Sequence, residues 1–317
     1  MLDQDYQWPS SSLNYFKNNN DFSSESVEKL INKIEDFFSQ QYDCYVCLMP
    51  SGRSSISIIL RYLNFTRSKT VFIPKWSSNC LYSSIGPYSN VSTDLIDPDL
   101  ILVNHKWGYG YQLHQDYSKK IIIEDSVDTI HLDNSSLFQN NGIAEIISLP
   151  KIIGSFSGGL ILTRDKKLSD YIHSVQQSNL ELGISQSKKK RLDGKSKNDW
   201  DYHEHLNTSL DLTGLVNIVN HMKNLFININ IITNRRRAIL EKFIDIKIDS
   251  KRLGPVIVFP KSKYKILGSE DNFMLRQFNY SLQIEDAYSY QSSYLLPVHF
   301  GLLDKQFESL LDAIDER

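Results

Sequence analysis

Short, unbroken apolar runs punctuate the first half of the chain, at residues 44–49, 70–74, 91–96, 100–104, 121–124, 144–149 and 160–163. Between them lie polar or amphipathic stretches. Residues 53–63 place Ile56, Ile59, Leu60 and Leu63 on one face at helical spacing. Residues 78–85 read as a second helix. Continuous apolar strands separated by helices predict an α/β fold with a mostly parallel sheet covered on both faces.

The pattern changes after Lys166. Residues 168–182 read as a helix, 183–201 as a polar loop with the basic run Lys188-Lys189-Lys190-Arg191, and 210–232 as one long helix continued by 235–243. The remainder alternates short strands with a final helix at 304–314. Three units are expected: an Asn- and Ser-rich N-terminal segment (1–25), a large α/β domain (26–232) and a small C-terminal α/β domain (233–317).

Composition narrows the classes. The 317 residues can bury a substantial core, and 41% apolar with 23% charged residues is ordinary for a globular protein. A net charge of −2 offers no electrostatic case for a nucleic-acid or anionic-membrane partner. Three cysteines, Cys44, Cys47 and Cys80, do not form a disulfide framework, and the first two read as core thiols. An acidic, polar N-terminus and the absence of a long apolar run lead to the expectation of a soluble, cytoplasmic protein.

Three signals sit where apolar runs end. Pro50-Ser51-Gly52-Arg53-Ser54-Ser55 passes from a strand into a helix, where backbone N–H groups and hydroxyls suit a phosphate. Glu124-Asp125 follows Ile121-Ile122-Ile123 and puts carboxylates at the carboxyl end of a strand. Lys151 follows the run at 144–149. Each has a plain structural reading: a helix cap, a cap or surface acid, a surface lysine. Together they are a phosphate cradle, an acid for a ring nitrogen and an amine for an aldehyde, which are the parts that hold pyridoxal 5′-phosphate (PLP). Partial desolvation is expected to lower the Lys151 pKa and make the amine nucleophilic.

The chain from about Met49 onward resembles the DegT/DnrJ/StrS family of PLP-dependent sugar aminotransferases. Pro50-Ser51-Gly52-Arg53-Ser54-Ser55 resembles the family's phosphate loop, and Phe72-Ile73-Pro74-Lys75-Trp76 its V-P-x-[YF] segment. Asn104-His105-Lys106-Trp107-Gly108-Tyr109 resembles V-H-x-[YW]-G, and Ile123-Glu124-Asp125-Ser126-Val127-Asp128 resembles [IV]-E-D-x-[AT]-[QH]. Ser148-Leu149-Pro150-Lys151 with Gly158-Gly159, Leu206-Asn207-Thr208-Ser209-Leu210-Asp211, and Leu296-Pro297-Val298-His299 complete the series in order.

The resemblance implies fold type I architecture: an αβα sandwich with a mostly parallel sheet, plus a smaller C-terminal domain. It implies that Lys151 anchors the cofactor aldehyde and acts as general acid/base, and that Asp125 pairs with the pyridine nitrogen. Ser51, Gly52, Arg53 and Ser148 would hold the phosphate. Asn207 would reach a phosphate in the neighbouring subunit of a homodimer. Trp76 is the candidate for contact with the ring, and His105, Trp107 and Tyr109 for the mouth of the site. The implied reaction moves an amino group from an amino acid such as glutamate to a keto-sugar, nucleotide-linked, in surface polysaccharide or related sugar biosynthesis. The rival readings are a PLP-dependent sugar dehydratase, whose lysine is replaced by histidine in relatives, and a degenerate sugar-nucleotide-binding or regulatory subunit.

Three positions depart from the family pattern. Asp128 stands beside the expected phenolic oxygen, where the family has Gln or His; Ser157 replaces an acid; Ser209 replaces an Arg. Elsewhere, Tyr202-His203-Glu204-His205 lacks a third metal ligand and reads as a polar loop, so no metal is expected. His299 reads as a packing histidine. Arg235-Arg236-Arg237 reads as an exposed helix face, with one inward Arg for a substrate anion as the alternative.

Overall fold

The computed structural model describes residues 26–182, 184–185, 208–270, 273–286 and 288–317. Its centre is a seven-stranded sheet. The strands are β1 (Tyr45–Met49), β2 (Thr70–Phe72), β3 (Asn90–Ser92), β4 (Leu100–Asn104), β5 (Ile121–Asp125), β6 (Ala144–Ser148) and β7 (Gly159–Thr163). Their spatial order is β1-β7-β6-β5-β4-β2-β3, and only β7 runs against its neighbours. The expected apolar runs are these strands, except that the run at 91–96 is strand only through Ser92 and then turns outward to an exposed Ile96.

Both faces are buried, which is why the runs are continuous and not alternating. Val46, Leu48, Leu160 and Leu162 join one core cluster, while Cys47, Met49 and Ile161 join another on the opposite face. The second face is covered by α2 (Gly52–Tyr62), which buries Ile56, Ile59 and Leu60 as its spacing predicts, and by a later helix, Lys166–Ser178. The first face carries α1 (Val27–Tyr42). Leu30, Ile34, Phe38 and Tyr42 form its buried stripe. Its buried Glu35 accepts the Leu48 amide at 2.7 Å, satisfying an edge-strand donor.

Two short helices matter for the site. Helix α3 (Asn79–Ile85) follows β2, and α4 (Leu149–Ile153) follows β6 directly. The single helix expected over 210–232 is instead two, α6 (Leu212–His221) and α7 (Asn224–Lys242), where Lys166–Ser178 is α5. The break aims α7 at α4: Asn224 and Asn228 side chains donate to the Ile153 and Ile152 carbonyls at 3.1 and 3.0 Å. Those carbonyls end a helix and need donors. The expected domain boundary at 232/233 falls inside α7. The three-stranded antiparallel sheet that follows orders β8 (Val256–Pro260), β10 (Tyr290–Pro297) and β9 (Met274–Asn279). The final helix, α8 (Asp304–Asp312), ends slightly sooner than expected, and Ile314–Glu316 forms a strand.

The arginine run is not an exposed face. Arg235 and Arg236 are buried and donate to backbone carbonyls: Arg235 to His299 O at 2.6 Å and Leu302 O at 2.7 Å, Arg236 to Arg252 O at 2.7 Å. Carbonyls at the ends of buried segments give the inward guanidinium groups their acceptors. His299 is buried, and its Nδ1 accepts the Gly301 amide at 3.1 Å, as a packing histidine should. Residues 183, 186–207 and hence the basic run, the His203–His205 segment and Asn207 lie outside the described residues. Among those described, no helix is long and apolar enough to cross a membrane.

Candidate active site

Four segments meet at the carboxyl edge of β1, β5 and β6. The first is the β1–α2 turn. Ser51 caps α2 by accepting the Ser54 amide at 3.2 Å, while the Ser51 amide donates to Ser54 Oγ at 3.0 Å. The reciprocal cap fixes the turn and presents the first amides of the helix, at Gly52 and Arg53, outward along its axis. A Cβ at Gly52 would lie 3.0 Å from Val127 Cγ1, so this turn packs directly on the segment after β5.

The second segment is β5 and its turn. Asp125 is in register with Ile146, on the face covered by α2. It is 1% exposed and its Oδ1 accepts the Val127 amide at 3.2 Å. It has no ion-pair partner among the described residues. Burial, with Asp128 adding to it and Lys151 opposing, pushes its carboxyl up to about 7. The turn is pinned by Ser126 N–H on Ile146 O and Thr129 N–H on Ser126 O, each at 2.9 Å.

The third segment is α4. Ser148 precedes it without a side-chain cap, and Gly154 ends it at φ 74°. Lys151 Nζ donates to Asp128 Oδ1 at 2.6 Å. The expectation of a lowered pKa does not hold within the protein alone. Burial pulls the Lys151 amine down, but Asp128, with Cys80 and Asp125, outweighs it, and the net direction is up. The fourth segment is Gly158-Gly159. The Gly158 amide donates to Pro50 O at 2.8 Å, and a Cβ at Gly159 would fall 2.5 Å from the Ser51 carbonyl carbon. Only glycine permits that approach.

Not every candidate converges. His105 is fully buried: its Nε2 lies 2.7 Å from Glu124 Oε2, and its Nδ1 accepts the Tyr111 amide at 3.0 Å. Trp107 stacks on Phe278 at 5.9 Å, and Tyr109 Oη accepts the Val258 amide at 3.3 Å. Trp107 and Tyr109 therefore pack between the large and small sheets, and His105 is buried against β5. Their residue types suit it: an aromatic cluster fills the gap, and the neutral histidine donates a hydrogen bond to a buried acid. Trp76 is 62% exposed, at φ 61°. It lines a small cleft with Pro74, Ser77, Asn104, Lys106 and Tyr290. A larger cleft, lined by Tyr109, Val258, Phe278 and Tyr280, contains none of the phosphate, acid or lysine candidates.

Lys106 is the residue that sequence reasoning passed over. Its Nζ lies 4.5 Å from the Trp107 ring centroid and donates to Trp76 O at 3.4 Å. Burial, with Arg276 and Lys151 and against Asp128, lowers its amine to about 8. The signal in the sequence was a cation inside the Asn104–Tyr109 motif, where the chain leaves β4 beside Asp125.

The arrangement fits PLP. Among the described residues Asp125 is a buried carboxyl group without an ion-pair partner, and a protonated pyridine nitrogen would supply one. The β1–α2 turn offers helix-start amides for a phosphate. Lys151 offers the amine.

Comparison with known proteins agrees. A family model described as "Putative PLP-dependent aminotransferase" matches residues 34–316. No curated protein matches. A DegT DnrJ EryC1 StrS aminotransferase from Brucella abortus is similar in structure, with TM-score 0.57 and 12% identity over 90% of this chain and 89% of that one. The NtdA protein of Bacillus subtilis, solved with bound PMP, has TM-score 0.60 and 15% identity over 90% and 76%. A GDP-4-keto-6-deoxymannose-3-dehydratase has TM-score 0.58 and 14% identity over 90% and 92%. The chain belongs to this family of PLP-dependent aminotransferases and has the fold type I architecture of the DegT/DnrJ/EryC1/StrS enzymes.

Proposed function

We propose that this aminotransferase transfers an amino group from an amino acid such as glutamate to a keto-sugar, nucleotide-linked, as one step in surface polysaccharide or related sugar biosynthesis. The observation that carries the reading is the convergence of Lys151, Asp125 and the Ser51–Gly52 turn at one sheet edge. The sugar acceptor is supported by fold neighbours, one of which is named for a nucleotide-linked keto-sugar.

Bound PLP supplies an aldehyde that exchanges amines and a ring that takes up carbanion charge. Gly52 and Arg53 amides, with Ser51 and Ser148, would hold the phosphate. Asp125 would pair with the ring nitrogen. Lys151 Nζ would anchor the aldehyde and, when free, would hold and move the proton as general acid and base. Trp76 contacts the ring or the substrate from the open side. Asn207 serves the neighbouring subunit's phosphate in a cytoplasmic homodimer.

A dehydratase reading has a fold neighbour in its favour. Lys151, where dehydrating relatives carry histidine, favours amination. The test is the absorption spectrum with added PLP before and after borohydride reduction, with mass mapping of the modified peptide. Product analysis then follows with keto-sugar nucleotides. A reducible visible band fixed on Lys151 and an amine gained support the proposal. A hydroxyl lost without amination, or PLP that washes away, overturns it.

A further inference from the structure

The ion pair between Asp128 and Lys151 has a consequence for the cofactor. We infer that Asp128 is a positioning residue that keeps the Lys151 nitrogen cationic, both as the free amine and when joined to the cofactor aldehyde. The inference rests on the proposed anchoring role of Lys151.

The geometry is preformed. Asp128 sits on the turn pinned by Ser126 and Thr129, and the Thr129 hydroxyl also donates to His105 O at 3.2 Å. The carboxylate is 10% exposed and the lysine side chain 29% exposed, so their 2.6 Å contact is only partly screened by water. Among the described residues, Asp125, Cys80 and Lys106 also act on the charge of Lys151. In the cofactor-free protein Asp125 holds its proton to about pH 7, with PLP bound its charge would be taken up by the ring nitrogen, and Lys106 is a cation that opposes charge on Lys151. Asp128 is therefore the anion that decides the charge state of Lys151 near neutrality.

Condensation ends with the pair intact. For attack on the aldehyde the Lys151 ammonium would first lend a proton to Asp128; the C=N bond then forms, the C=O bond breaks, the oxygen leaves as water with two of the three ammonium protons, and the nitrogen retains one proton and the positive charge. Asp128 thus faces a cation before and after. A carboxylate beside the cofactor's phenolic oxygen, which would repel a phenolate, is reconciled by the cation it holds. A protonated imine is also the more electrophilic form toward a donor amine.

The test is a pH titration of the visible imine band of the PLP-loaded wild type and Asp128→Asn, from about pH 6 to about pH 9. The wild type is expected to keep the protonated band throughout. Asp128→Asn should lose it with a midpoint at least about tenfold lower in proton affinity, and Asp128→Glu should restore it. Equal midpoints in wild type and Asp128→Asn overturn the inference. A second measurement uses the cofactor-free protein and an amine-selective acylating reagent. Asp128→Asn should speed labelling of Lys151 by about tenfold at fixed pH; equal rates again overturn it. If the wild type forms no reducible band, the anchoring role fails, while the labelling rates still decide the part played by Asp128.

Discussion

Glu124 Oε2 accepts a hydrogen bond from His105 Nε2 at 2.7 Å, and neither side chain is exposed to water. The Tyr111 amide occupies Nδ1, so the ring proton sits on Nε2. Burial, reinforced by Arg252, lowers the His105 pKa and keeps the ring neutral. Glu124 Oε1 takes the Asn140 and Gly142 amides at 3.0 and 3.1 Å. His105 thus completes a buried network under the sheet edge. His105→Ala should cost about 3 kcal/mol by removing the ring from Glu124 Oε2 and orphaning the Tyr111 amide. Urea unfolding measures it. An unchanged stability with a raised KM would restore the substrate role.

The carboxyl of Asp125 makes a pH prediction of definite sign. Its folded pKa, about 7, lies above the unfolded value of about 3.9. Between those values the native state holds a proton that the unfolded chain has released, so stability falls as pH rises from about 4 to about 7. The full shift corresponds to about 4 kcal/mol. Asp125→Asn should therefore stabilise the cofactor-free protein at neutral pH and flatten that dependence, while turnover collapses. Thermal melts at several pH values check it. A destabilised Asp125→Asn with an unaltered pH slope would show that the carboxyl is ionised in the fold.

Much of this architecture was legible, because short continuous apolar runs bounded by turn residues suit strands buried on both faces. The convergence of Ser51, Asp125 and Lys151 was legible too, since each follows such a run in an α/β sheet. What could not be read was set by distant partners. The apolar pattern runs through Met222 and Lys223 without interruption, yet the helix breaks there so that Asn224 and Asn228 reach α4. Arg235 and Arg236 look like surface charge until His299, Leu302 and Arg252 present carbonyls to them. Lys151 is pulled upward by Asp128, 23 residues earlier in the chain, against the desolvation that local sequence suggests.

Lys106 should be unusually reactive. With its amine lowered to about 8, its free-base fraction at neutral pH exceeds that of an ordinary lysine by roughly a few hundredfold. It is half-buried, so the gain is partly offset by access. Competitive labelling with an amine-selective reagent at neutral pH, read by peptide mass, should place Lys106 well ahead of the exposed Lys166 and Lys263. Lys106→Met should leave the fold intact and weaken binding of anionic substrates, raising KM more than it lowers kcat. Labelling no faster than that of Lys166 would refute the lowered amine.

The contact between Gly159 and Ser51 tests the phosphate turn without touching a charged group. A Cβ at Gly159 would stand 2.5 Å from Ser51 C, 2.6 Å from Ser51 O and 2.8 Å from Gly52 N. All three are backbone atoms, which cannot swing aside as a side chain can. Gly159→Ala must push the β1–α2 turn away from β7 and strain the Gly158–Pro50 hydrogen bond, at about 1–3 kcal/mol. The first amides of α2 then miss a bound phosphate, and PLP affinity should fall about ten- to hundredfold. Gly268→Ala is the control: it sits at φ 93° with nothing within 4 Å, so it should lose about 1 kcal/mol and no affinity. Spectral titration with PLP separates the two. Wild-type affinity in Gly159→Ala would mean that the phosphate is held elsewhere.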